Sequence, residues 1–152
     1  MRHTLIAGLV AGSAGALTIW LYLIVTLGLI FHVPQLALYT WDASNFLGYA
    51  AAARAGPTAV VAIGEGGHVL VSLGWGLLYA LLARRWAALR THPWLGGIVY
   101  GALVMQIMHF VVVPLGHAPQ NAYTPAGFAN NLIAHTLAFG LPVALVVRRL
   151  SS

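Results

Sequence analysis

Glu65, His68, Ser72 and Tyr79 occur at offsets of 0, 3, 7 and 14 within one apolar stretch of the chain. A helical period of about 3.6 residues puts all four on one face. Gln106 and His109 are three apart in a second stretch, and Asn131 and His135 are four apart in a third. Each pair therefore also shares a helix face. Thr18, Tyr22 and Thr26 repeat every four residues in a further stretch, with His32 at its end.

Three imidazoles and one carboxylate are a donor set for a transition metal. Three N or O ligands with an open position suit zinc, and imidazole also suits copper and iron. In that reading His68, His109 and His135 are the ligands, and Glu65 is a fourth ligand or a hydrogen-bond partner. A haem b needs two axial His on facing helices, which His68 with His135, or His109 with either, could supply. Glu65-x-x-His68 has the spacing found in di-iron bundles, but those need a second such element and further Glu. The same groups could relay protons, because free His titrates near about pH 6.5. They could also simply join helices by hydrogen bonds. Ser72, Tyr79, Gln106 and Asn131 are the other polar residues expected to line the bundle.

These residues need helices to position them, and the composition says which kind. The chain has 152 residues, 61% hydrophobic and only 6% charged. Soluble domains carry about 25% charged residues. Seven Arg, no Lys and two acids cannot keep a surface of this size wet. An ordinary soluble domain, a disordered chain and a nucleic-acid binder are excluded. The net charge of +5 does not reverse this, because the Arg residues form no patch in sequence. With no Cys there is no disulfide, thiolate nucleophile or thiolate metal site. The lipid bilayer is the expected partner.

A spanning helix needs about 20 mainly apolar residues. Four stretches qualify, at about 5–31, 59–83, 95–115 and 128–147. The expected fold is an all-α, polytopic transmembrane four-helix bundle forming one domain over residues 1–152. Arg2 and His3 followed by an apolar run resemble a signal peptide, but the run is longer than the about 7–15 residues of a cleaved one. Arg2, Arg84, Arg85, Arg90, Arg148 and Arg149 fall on one side of this topology and only Arg54 on the other. Positive residues favour the cytoplasm, so both termini are expected there. At about 1.5 Å per residue, His68, His109 and His135 lie about 9–13 Å from the outer ends of their spans, at one shared level.

The outer loop at 32–58 is expected to carry a short interfacial helix, capped by Asp42 or Ser44 and bearing Trp41, Phe46 and Tyr49. His117 and Asn121 belong to a second outer loop, rich in Pro, Asn and Gln. Gly8-x-x-x-Gly12 and Gly97-x-x-x-Gly101 allow close helix approach, within the bundle or in a homo-oligomer. They also hint at a two-fold repeat of hairpins. The five Gly of the second span mark it as the most enclosed.

His68-x-x-x-Ser72 with Tyr79, Trp94, Gly97-x-x-x-Gly101-Ala102, His109-x-x-x-x-Pro114 with Gly116, and His135 together resemble the YagU-like family of bacterial inner-membrane proteins. The resemblance covers about residues 65–149, and span 1 matches only in its small residues. It implies an inner-membrane helical protein of uncharacterised activity, loosely associated with acid resistance. It assigns no catalytic residues. No nucleotide loop, nucleophile–base pair or HExxH motif supports an enzyme. The expectations are an intramembrane metal or haem site, a small transporter or proton-responsive protein, or an accessory subunit of a larger membrane complex.

Overall fold

The computed structural model describes residues 1–116, 118 and 124–151, and every regular element among them is helical. Seven helices follow in order: α1 (Arg2–Ile30), α2 (Gln35–Leu47), α3 (Tyr49–Arg54), α4 (Pro57–Arg85), α5 (Ala88–Thr91), α6 (Pro93–Leu115) and α7 (Pro125–Leu150). Four of them, α1, α4, α6 and α7, are long and apolar enough to cross a membrane. The chain is thus all-helical with the make-up of a small multi-pass membrane protein. Each span starts earlier than its apolar run. Pro57, Pro93 and Pro125 open their helices at the first turn, where a missing N–H costs nothing. The Thr124 hydroxyl caps α7 by accepting from the Gly127 N–H at 3.1 Å.

In lipid there is little hydrophobic drive between helices, so close backbone approach must hold them. Two seams do this by one device. A Cβ on Gly76 of α4 would run into the backbone of Gly8 and Gly12 of α1. A Cβ on Gly140 of α7 would run into the backbone of Gly97 and Gly101 of α6. Each Gly-x-x-x-Gly pair therefore receives one glycine of the following span. The faint sequence repeat is a repeat of hairpins, and both motifs are used inside the chain.

A third seam joins α1 to α7. Gly15 lies against Phe139 and Val143, and the Thr18 hydroxyl donates to Ala138 O at 2.5 Å. Pro142 has no N–H to offer that oxygen, its i−4 carbonyl, so Thr18 satisfies it from another helix. Higher up, the Tyr22 hydroxyl donates to Asn130 Oδ1 at 2.8 Å. The α4–α6 side is filled by rings instead. Tyr100 stacks edge-on against Tyr79 at 4.9 Å and Trp75 at 6.3 Å, and its hydroxyl donates to Trp75 O. Leu17, Leu70, Leu103 and Phe110 point outward, as lipid-facing side chains must.

The antiparallel seams bring both chain ends and six of the seven Arg to one end of the bundle. There Arg84 contacts Met1 Sδ, and Arg90 donates to Ala83 O. The opposite end carries α2 and α3. The helix in this segment is longer than the sequence reading expects and begins earlier. Pro34 fixes its entry, so Asp42 and Ser44 sit in the interior of α2 and do not cap it. Ser44 Oγ donates to Trp41 O at 2.6 Å instead. Gly48, at φ +76°, ends α2 in a conformation that side chains with a Cβ rarely adopt.

Helix α2 lies on α4. A Cβ on Gly64 would meet Tyr39 O at 2.6 Å, and one on Gly67 would meet the Phe46 ring. Helix α2 thus packs on this face of α4 through Tyr39 and Phe46. The α4 helix has 29 residues, about 43 Å at 1.5 Å per residue. Glu65 follows Gly64 directly at this contact.

Three stretches have the wider π-helical turn: Ile24–Ile30, Met108–Val112 and Ala134–Gly140. They shift the angular register of everything beyond them. Such turns recur at functional sites. Here they hold His109 and His135.

Candidate functional site

The far end of the bundle, opposite six of the seven Arg, gathers most of the polar groups singled out from the sequence. Ser72 and Tyr79 are buried inside α4's packed face, and Tyr79 is fully enclosed. Its hydroxyl donates to Leu89 O at 3.1 Å, which ties α4 to α5. Both act as packing groups of the bundle. Gln106 lies on the exposed surface of α6. His109, three residues on, is half-buried. His117 and Asn121 lie outside the described residues.

The three His have different surroundings. His68 Nε2 lies 3.2 Å from Ala16 O of α1. His135 Nδ1 lies 3.0 Å from Asn131 O in its own helix. A carbonyl only accepts, so each of these nitrogens carries its proton, and the other nitrogen of a neutral ring is left as an acceptor. His68 and His135 lie within electrostatic reach of each other. His109 is half-buried and packs edge-on against the exposed Phe110, with centroids 4.7 Å apart. Among the described residues no three His, Asp or Glu side chains gather into a group that could hold a metal ion. Shared depth does not bring side chains together when helix rotation points them to different neighbours.

The carboxylates do come together. The chain has two acidic residues, Asp42 and Glu65. The α2–α4 crossing brings them within electrostatic reach. Burial pushes the Asp42 carboxyl up from 3.8 to about 7, and the negative charge of Glu65 adds to the rise. Asp42 therefore changes charge near neutral pH. Beside it, Asn45 Nδ2 is bound to Trp41 O and Asp42 O, while its buried Oδ1 has no partner among the described residues. Sequence reasoning placed Asp42 in a loop. Its position seven residues after Gln35, in a run with Leu36, Tyr39 and Ala43, was the available sign that it lies on a helix face.

Glu65 has a second neighbourhood. An open groove of about 250 Å³ runs between α1 and α4, lined by Ser13, Ala16, Leu17, Trp20, Glu65 and Val69. The Glu65 carboxylate makes no hydrogen bond or ion pair with a described residue. It stands between this groove on one side and Asp42 on the other.

The chain matches no protein-family model, and no curated protein or solved structure is significantly similar to it.

Proposed function

We propose that this chain is a small proton-responsive membrane protein in which Asp42 and Glu65, with His68 one turn deeper, form the responsive group. The single observation behind it is the burial of Asp42 on α2 within electrostatic reach of Glu65, the chain's other carboxylate. When Asp42 is protonated, α2 can lie on α4 without burying a second negative charge. When Asp42 ionises, repulsion from Glu65 and the lost hydration of a buried carboxylate both favour lifting α2 off. Acidification docks the helix and alkalinisation loosens it. The positive-inside pattern supports a cytoplasmic Arg-rich end, with α2 facing the opposite compartment of a bacterial inner membrane. The resemblance of residues 65–149 to the YagU-like family, with its loose link to acid resistance, agrees with this reading.

Hydrogen exchange in lipid nanodiscs tests it. After correction for intrinsic rates, the amides of α2 are expected to be protected at about pH 5 and at least about tenfold less protected at about pH 8. Equal protection at the two values would end the proposal.

A second reading rests on the proximity of His68 and His135. Those two rings alone, without His109, would hold a haem b or a zinc, copper or iron ion. A Soret band or a stoichiometric metal in the purified protein, lost in His68→Ala, carries that reading. The absence of both from protein expressed with haem and metals supplied refutes it.

A further inference from the structure

We infer that the groove between α1 and α4 binds small lipophilic organic cations, with Glu65 as counter-ion and Trp20 as aromatic wall. This deepens the proton-responsive reading, because it gives the Glu65 of that site a ligand. The groove walls are aliphatic at Ala16, Leu17 and Val69. Its polar features are the Ser13 hydroxyl, the Trp20 indole and the Glu65 carboxylate. A carboxylate on a helix apolar enough to span a membrane calls for a cationic partner, and no described residue supplies one. Asp42 offers no positive charge to cancel it, and six of the seven Arg lie at the other end of the bundle, with Arg54 in α3.

The lining decides what kind of cation fits. Calcium takes about 6–8 oxygen ligands and magnesium an octahedron, and one carboxylate with one hydroxyl is far short of either. An alkylammonium or aryl quaternary ammonium needs no such shell. It places its charge against the carboxylate, its carbon body against the aliphatic walls and its cationic head near an indole face. A groove of about 250 Å³ is just below the roughly 300–1,000 Å³ of drug-sized sites. The ligand is accordingly small, with one ring or a short chain. The groove is open along the flank of the helix pair, so such a ligand can arrive from the bilayer. The titratable groups around Glu65 are Asp42 from α2, His68 on α4 and, beyond His68, His135 of α7. From α1 the groove receives Ser13 and Trp20, which do not titrate in the relevant range.

The test uses full-length protein in zwitterionic-lipid nanodiscs with benzyltrimethylammonium as probe and neopentylbenzene, its uncharged carbon isostere, as control. Calorimetry is expected to show saturable binding of the cation. Glu65→Gln is expected to weaken it at least about tenfold, and Trp20→Ala by about threefold to tenfold. Val69→Trp fills the groove from its open side without changing charge and is expected to abolish binding, which keeps the test decisive if Glu65→Gln does not fold. Neopentylbenzene is expected not to compete. Unchanged affinity in Glu65→Gln, equal competition by the neutral isostere, or no saturable binding would each overturn the inference. If cation binding fails while α2 exchange still depends on pH, this inference alone falls. If the cation binds while α2 exchange is independent of pH, the sensor reading falls instead.

Discussion

Asp42→Asn is expected to fix α2 on α4 at every pH between about 4 and 8. The docked Asp42 keeps its proton up to about 7, whereas an ordinary Asp releases it near 3.8. Between those values docking takes up a proton. The stability of the docked state is therefore fully present at low pH and is lost as pH rises towards 7. Above that, the ionised carboxyl opposes docking by an amount on the order of a few kcal/mol. Asn keeps the shape and hydrogen-bonding capacity and never ionises. Wild-type protein should lose α2 protection, and some thermal stability, as pH rises from about 5 to about 8, and the variant should lose neither. Glu65→Gln should give part of the same effect, because the smaller cause of the Asp42 shift is removed while burial remains. Thermal unfolding of both variants in detergent at several pH values checks this. A variant with the wild-type pH dependence would show that Asp42 does not govern docking.

The second large effect is expected at the glycine seams. Gly101→Val would drive two γ-carbons into the backbone of His135 and Thr136. Backbone cannot give way as a flexible side chain can, so α6 and α7 must separate. The cost is expected to exceed the roughly 1–3 kcal/mol of ordinary overpacking. Gly66→Ala and Gly74→Ala are the controls. A Cβ at either position meets nothing within 4 Å, and Ala favours a helix over Gly by about 1 kcal/mol. Unfolding in mixed SDS micelles should show Gly101→Val unfolded or strongly destabilised, and both controls at or above wild type. A Gly101→Val protein as stable as wild type would refute the seam. The same contrast bears on homo-oligomers, since these glycines are already occupied within one chain and are closed to a second copy.

The two outcomes also separate what the sequence of this protein determines from what its tertiary structure decides. Composition, the four apolar runs and the one-sided Arg distribution specify an all-helical bundle with its Arg at one end. Hydrocarbon thickness and backbone hydrogen bonding leave a chain of this make-up no other way to span a bilayer. The Gly-x-x-x-Gly spacings likewise mark the seam faces, although only the fold shows Gly76 and Gly140 completing them. The limits of each span were less legible, because a Pro at the first turn of a helix reads in sequence as the end of a loop.

The site was legible only in its parts. Glu65 and His68 share a helix turn by sequence alone. The depth of the three His was also readable, but depth fixes one coordinate and leaves rotation about each helix axis open. The π turns at Met108–Val112 and Ala134–Gly140 change that rotation, and no 3.6-residue count includes them. His109 packs on its neighbour Phe110, and Gln106 lies on an outer surface. Asp42 is the clearest case. In sequence it is a polar residue between two spans, 23 positions from Glu65. Only the folding of α2 across Gly64 and Gly67, where missing side chains let another helix come close, places it beside the chain's other carboxylate. Local sequence sets which residues are helical and which faces are apolar, whereas charge pairing between distant residues depends on how the helices cross.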